Sequence, residues 1–308
     1  MITRSARRDG GIGRTGSYFL SPYHPITLVM LRYLRRNRQV MVGVSLLLLL
    51  LLFAGIGRLI WDVSLTAPLS VPANKPPSIE HPLGTDRQGR DLLAVMIVAT
   101  PLTLYIGLLA GVIGVTIGTA VALIAAYNGG RVDAIIRGIV DVGLTIPPLL
   151  LLILLAVSLH SGLTVTQMAL VVASLAWLYP ARTIRAQALS IKERAYIQIA
   201  RLSGTNGARI IFLEIMPNLL PYLAATFVGT VSAAILASIG LEILGLGVIE
   251  ANTLGITLYW VNYYSALLHG MWWWFLPPVI IIIMLFVGLF ALSAGLDEIA
   301  NPRRRRTV

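Results

Sequence analysis

The stretch IKERAYIQIARLSGTNGARIIFLEIMP, residues 191–217, carries four positive and two negative charges between two segments that hold almost none. Its meaning depends on its surroundings. The chain of 308 residues is 57% hydrophobic and 12% charged, whereas a soluble domain has about 25% charged residues. Mean hydropathy is +0.82. The composition is that of an integral membrane protein, and residues 191–217 are a polar island between two bilayer-spanning stretches. The net charge of +11 does not indicate nucleic acid, because basic residues sit between apolar spans rather than in lysine-rich tracts interleaved with aromatics. Cysteine is absent, which removes disulfides, thiolate metal sites and a cysteine nucleophile from consideration.

Outward from the island, six stretches are apolar for the ~20 residues needed to cross ~30 Å of hydrocarbon. They lie near 40–60, 100–126, 138–160, 164–183, 218–248 and 273–296. An all-α fold is expected, since the alternating lumen-facing polar residues of a membrane barrel are missing. With the N-terminus inside, 20 of the 24 basic residues fall in inside segments, leaving only Arg58, Lys75, Arg87 and Arg90 outside. The predicted topology therefore has both termini and residues 191–217 cytoplasmic.

The predicted organisation is a basic leader over 1–39, a first span over 40–60, an external loop over 61–99, a core of five spans over 100–300 containing the cytoplasmic loop 190–217, and a basic tail over 301–308. The leader and VMVGVSLLLLLLLFAGI resemble a signal peptide, but so long a charged leader with no clean small-residue cleavage site predicts an uncleaved span. In the external loop, APLSVPANKPPSIEHP is too proline-rich for sustained helix or strand. Thr85 or Asp86 is then expected to cap a short interfacial helix. No repeat with a period of 20–50 residues is evident.

Catalytic and ion-coupling chemistry find little footing. An ion-coupled secondary transporter needs ionisable groups deep in the bilayer, and the span cores are almost uncharged. Asp141 is expected to pair with Arg137 along a helix edge. Glu242, inside GLEILGLG, is a candidate for a translocation path or for packing against a backbone dipole. The histidines His24, His81, His160 and His269 show no ligand spacing, so no metal is expected, and no constellation suits a membrane enzyme. There is no G-x-x-x-x-G-K-[ST] loop. If ATP drives this protein, another chain must bind it.

Within the island, Ile191, Ala195, Ile199 and Leu202 fall on one narrow helical face, with Lys192, Glu193, Arg194 and Arg201 off it. Gly204 is expected to end that helix, and Thr205 or Asn206 to cap a second short one running through Glu214 to Pro217. A solvated loop of this length usually holds more glycine, serine and proline in its interior. The pattern predicts a helix, a turn and a helix that dock a partner.

The spacing of Gln198, Ala200, Gly204 and Pro217 resembles the EAA loop of ATP-binding-cassette importer permeases. In that family the loop forms a coupling helix seated in a groove of the ATPase subunit. The resemblance implies ATPase-coupling roles for Ala195, Tyr196, Gln198, Ile199, Ala200, Arg201, Gly204 and Pro217. The chain departs from the family with Gln198 for the acid, Ile199 for the first alanine and Met216 for leucine. HPLGTDRQGRD at 81–91, AAYNGGRVDAIIRGIVDVGLTIPPLLL at 125–151, LGLG at 244–247 and GLDEIANPRRR at 295–305 look like the second permease subunit of the dipeptide, oligopeptide and nickel group.

The resemblance implies the type I importer fold in a bacterial or archaeal cytoplasmic membrane. It implies a heterodimer with a homologous permease in membrane lipid, an external substrate-binding protein, and two ATPase subunits that hold the ATP and Mg; no cofactor is expected on this chain. Peptides are the implied cargo. After LGLG, however, the chain reads VIEANTLGITLYWVNYYSALLHGMWWWFLPP where peptide permeases commonly have something like QPPTPSWG. Trp260, Tyr263 and Tyr264 there fit an interfacial aromatic belt, or a receptor- or sugar-facing surface that would make oligosaccharides the alternative cargo.

Overall fold

A computed structural model describes residues 37–159 and 163–300. Most of the basic leader, His24, His160 and the arginine tail lie outside these residues. Among the described residues the chain is helical, with one isolated antiparallel bridge, Thr85 to Asp91.

The first helix, α1 (Arg38–Ile60), starts where the Asn37 side chain accepts the backbone N–H groups of Gln39 and Val40. Large apolar side chains lie exposed around much of it, among them Met41, Leu48, Leu51 and Ile56. A helix with that surface is stable only where lipid or another apolar partner covers it. One face of α1 packs against α10 (Trp272–Ala300), where a Cβ on Gly43 would fall 2.6 Å from the Leu292 nitrogen and one on Gly295 2.3 Å from a Val40 methyl. Small residues let the two backbones close in. At one end of the pair, the Asn37 amide donates to Glu298 Oε2 at 2.6 Å.

The centre of the fold is α2 (Leu92–Asn128), which packs against α1, α5 (Val165–Ala176), α6 (Leu178–Lys192) and α8 (Gly207–Ile243). Gly107 and Gly111 face Ile235 and Val231 of α8; Gly114 and Gly118 face Ala176 and Pro180. These four glycines, spaced four, three and four apart, form one ridge along α2.

Among the described residues, four helices (α1, α2, α8 and α10) are long and apolar enough to cross a membrane. The expected third span is not straight. It is α3 (Gly130–Thr145) and α4 (Pro148–Ser158), bent by 86°. Pro147 and Pro148 lack N–H donors, and each pushes its predecessor out of the helical region; Ile146 and Pro147 have ψ of 132° and 119°. The expected fourth span is the shorter apolar helix α5, which passes through Trp177 into α6 and continues to Lys192, beyond the predicted limit of 183.

The expected interfacial helix capped by Thr85 or Asp86 does not form. Its apolar residues open α2 instead, because Asp91 Oδ1 accepts the Ala94 N–H and starts that helix eight residues earlier than predicted. The only helical turn in residues 61–91 is a 3-10 turn, Val63–Thr66. The expected fifth span is also displaced: α8 begins at Gly207 and ends at Ile243, before LGLG, which turns through Gly245 at φ 79°.

Candidate functional site

The polar island folds as the end of α6, a short α7 (Ala195–Leu202), a turn and the start of α8. The helix is interrupted at Glu193 and Arg194, so Ile191 and Ile199 do not share the continuous stripe expected from sequence. Arg194 is extended at ψ 146°, and the register after it turns a different face inward. Ile197 is the fully buried anchor, packed with Ala122, Ala126, Ile184, Ile210 and Leu219, and Ala200 lies at the edge of that cluster. Ile199 and Leu202 are 63% and 89% exposed, with Ala195 and Tyr196 exposed beside them. Gln198 and Arg201 are half-buried.

Gly204 ends α7 as predicted, at φ 75°. Its N–H donates to Arg201 O, and the Thr205 N–H to Ala200 O, the paired bonds of a Schellman turn. Asn206 then caps α8 by accepting the Ala208 N–H. The predicted short second helix is instead continuous with the following span. A π turn over Ile210–Ile215 widens the helix, and Pro217 lies within α8 just beyond it. Such a turn shifts the hydrogen-bond ladder where proline contributes no donor.

Three contacts hold this elbow against the rest of the fold. The Lys192 ammonium donates to Ala126 O at 2.6 Å and Tyr127 O at 3.1 Å, satisfying carbonyls left open by the end of α2. Burial first, and then the Arg201 charge, lower the Lys192 pKa. Gly207 faces Tyr127 so closely that a Cβ would fall 1.5 Å from its hydroxyl. Asp133 of α3 takes Arg185 of α6 through both carboxylate oxygens. The expected Arg137–Asp141 pair is not made; Asp141 faces Arg182 at 4.0 Å.

At the opposite end of α2, HPLGTDRQGRD forms a buried polar knot. Asp86 Oδ1 accepts the N–H groups of Gln88 and Arg90, and its Oδ2 accepts Arg90 Nε at 2.6 Å. Arg90 also donates to Asn252 Oδ1 at 3.1 Å, and Trp273 Nε1 to Thr85 O at 3.3 Å. Burial raises the Asp86 pKa against the opposing pull of Arg90. Asp91, besides capping α2, accepts Trp61 Nε1 at 3.1 Å and lies 2.7 Å from His81 Nδ1. The knot thus joins residues 61–91 to the segment just before α9 (Leu254–Tyr263) and to α10.

Glu242 is fully buried beside the start of α9. A Cβ on Gly255 would fall 2.1 Å from its Oε2, and one on Gly247 2.6 Å from its Cγ. It therefore sits packed against the backbone at Gly247 and Gly255, and neither carboxylate oxygen has a hydrogen-bond partner among the described residues. The aromatics of α9 mostly pack on one another. Trp260 stacks on Tyr264 at 5.7 Å, Tyr264 on Trp274 at 5.9 Å, and Arg87 lies 5.3 Å over Tyr264, while Tyr263 is 64% exposed.

Sequence reading missed Lys192 as a cap, Ile197 as the anchor, and Asn252. Asp91 directly before an apolar run was a legible cap signal; the Arg90–Asn252 contact, 162 residues apart, left none.

Residues 114–306 match the protein family described as binding-protein-dependent transport system inner membrane component. The dipeptide transport system permease protein DppC of Bacillus subtilis is 33% identical over 275 residues, 89% of this chain and 85% of that protein. The oligopeptide transport system permease protein OppC of Bacillus subtilis is 33% identical over 221 residues, 71% of each chain. A protein named as a putative peptide transport system permease in Brucella suis is 31% identical over 223 residues, 72% of this chain and 74% of its own length.

Proposed function

The chain belongs to the family of binding-protein-dependent transport system inner membrane components, and from that premise we propose that it is one permease subunit of an ATP-driven importer of di- or oligopeptides. The relatives named for dipeptide and oligopeptide transport support the cargo. In this reading six spans place both termini and the α6–α7–α8 elbow in the cytoplasm. A homologous permease completes the path, an external binding protein delivers the peptide, and two ATPase subunits hold ATP and Mg. The chain itself performs no covalent chemistry.

The observation that carries the reading is the two-sidedness of α7. Its inner face is fixed by Ile197 and by the Lys192 bonds to the end of α2, while Ile199 and Leu202 project outward. Two large aliphatic side chains exposed on a short, firmly seated helix have a use if a partner covers them. Closure of the ATPase pair would then move α7, and α2 and α8 would carry the motion toward the path.

Affinity purification of the tagged chain from its native host, followed by identification of the bound proteins, tests this. A nucleotide-binding ATPase and a second permease are expected, and Ile199→Asp with Leu202→Asp should lose the ATPase while retaining the second permease. Retention of the ATPase by the double variant, or its absence from the wild-type complex, overturns the reading. Uptake in vesicles driven by an ion gradient alone would favour a secondary transporter instead.

A further inference from the structure

We propose that the crevice between α3 and α6 is a binding site for an anionic phospholipid, with its phosphate beside Arg137 and Arg182 and an acyl chain in the adjoining apolar cavity. The crevice encloses about 240 Å³ and is lined by Arg137 and Asp141 of α3 and by Arg182 and Arg185 of α6. Its charges are not equally available. Arg185 is committed to Asp133 through two hydrogen bonds. Arg182 reaches Asp141 only at 4.0 Å, and Arg137 forms no ion pair within that distance among the described residues. Two exposed guanidinium groups therefore face one carboxylate, an excess of one positive charge at the mouth.

One helical turn further along the same two helices, the lining becomes apolar. Gly143, Leu144, Leu178 and Tyr179 open a cavity of about 450 Å³ that continues between α5 and α8, past Leu175 and Ala233. A basic crevice one helical turn from an apolar cavity along the same two helices matches a ligand with an anionic head and a hydrocarbon tail. Guanidinium groups bind phosphate oxygens with directional, charge-assisted bonds, and basic pockets between membrane helices are suited to anionic head groups. The bilayer supplies such a ligand at high local concentration. Asp141 opposes it, which gives the proposal a sign: removing that carboxylate should strengthen binding.

The test is native mass spectrometry of the full chain in detergent, titrated with phosphatidylglycerol, phosphatidylcholine or inorganic phosphate. The wild type should bind phosphatidylglycerol in preference to phosphatidylcholine. Arg137→Gln and Arg182→Gln should each weaken that binding about fivefold, and Asp141→Asn should tighten it. Ala233→Leu, which fills part of the cavity, should reduce lipid binding without abolishing the preference for the anionic head. Arg131→Gln, an exposed arginine outside the crevice, should change nothing. Equal binding of the two lipids, or an Arg131→Gln loss as large as that of Arg137→Gln, overturns the proposal. So does binding of inorganic phosphate with no gain from the lipid tail, which would make the crevice a plain phosphate site.

Discussion

Replacing Arg90 by methionine should destabilise the chain more than any single exposed substitution, and the size of the loss can be worked from the knot. Arg90 is 5% exposed and Asp86 fully buried, 2.6 Å apart. Removing one partner of a buried ion pair costs about 3–5 kcal/mol, because the other charge is left without compensation. Asp86 keeps two backbone N–H donors, from Gln88 and residue 90, which places the loss toward about 3 kcal/mol. At about 2 °C per kcal/mol, the thermal midpoint should fall by roughly 6 °C. Asp86→Asn alone should cost about 2 kcal/mol by stranding the guanidinium. The double variant Asp86→Asn/Arg90→Met should then cost about as much as the worse single one, because neither residual charge remains, and the cycle should show coupling of about 2 kcal/mol. Thermal unfolding of the detergent-purified chain measures all three variants. Asn252→Ala isolates the bond between the loop and the segment just before α9, with about 1 kcal/mol expected. Additive single losses, or an Arg90→Met loss below about 1 kcal/mol, would refute the view that the Asp86–Arg90 pair fastens this end of the molecule.

Three further outcomes follow from the packing. Lys192→Met removes two charge-assisted bonds to the end of α2 and, because the ammonium is only half-buried, should cost about 1–2 kcal/mol; hydrogen exchange should quicken over residues 191–203 and stay unchanged near the start of α2. Gly204→Val forces a β-branched residue to φ 75° and should loosen α7 by about 1–2 kcal/mol while leaving the chain in the membrane, whereas Gly204→Asn should be milder; in the proposed importer, normal peptide uptake by Gly204→Val would count against a coupling role for this turn. Gly295→Leu drives a side chain into Val40 and should cost about 1–3 kcal/mol in thermal unfolding, whereas Gly55→Leu, with nothing within 4 Å of a built Cβ, should stay near wild type.

Long apolar runs made the four unbroken spanning helices legible, because length and hydropathy are summed over some twenty residues and tolerate local error. What sequence placed wrongly turned on single residues. The bend at Ile146–Pro148 was written in the Pro147–Pro148 pair, yet an apolar run on both sides masked it. The start of α2 moved because Asp91 out-competes Thr85 and Asp86 as a cap: their side chains are engaged in the turn, Thr85 donating to Pro72 O and Asp86 accepting the Gln88 and Arg90 N–H groups. In the elbow, Gly204 was readable from its chemistry alone. The inward face of α7 was not, since one extended residue at Arg194 rotates everything after it and puts Ile197 where Ile199 was expected.

The two ends that carry the buried knot and the exposed elbow belong to one element. At 37 residues, α2 is about 55 Å long, with Asp91 at its first turn and the Lys192-bound carbonyls at its last. Along that length its glycine ridge brings α8 and the α5–α6 junction too close for any larger side chain, so these helices cannot slide past α2 without separating from it. Displacement at the elbow must therefore move α2 and its neighbours as a body or bend them. Pro101, ten residues into α2, is the one proline in that helix, and it lies next to the end held by the knot. The elbow side of the ridge is left unbroken, so in the proposed importer a displacement carried along α2 from the elbow meets the contacts of Gly111 and Gly107 with α8 before it meets a place where α2 has a chemical reason to yield.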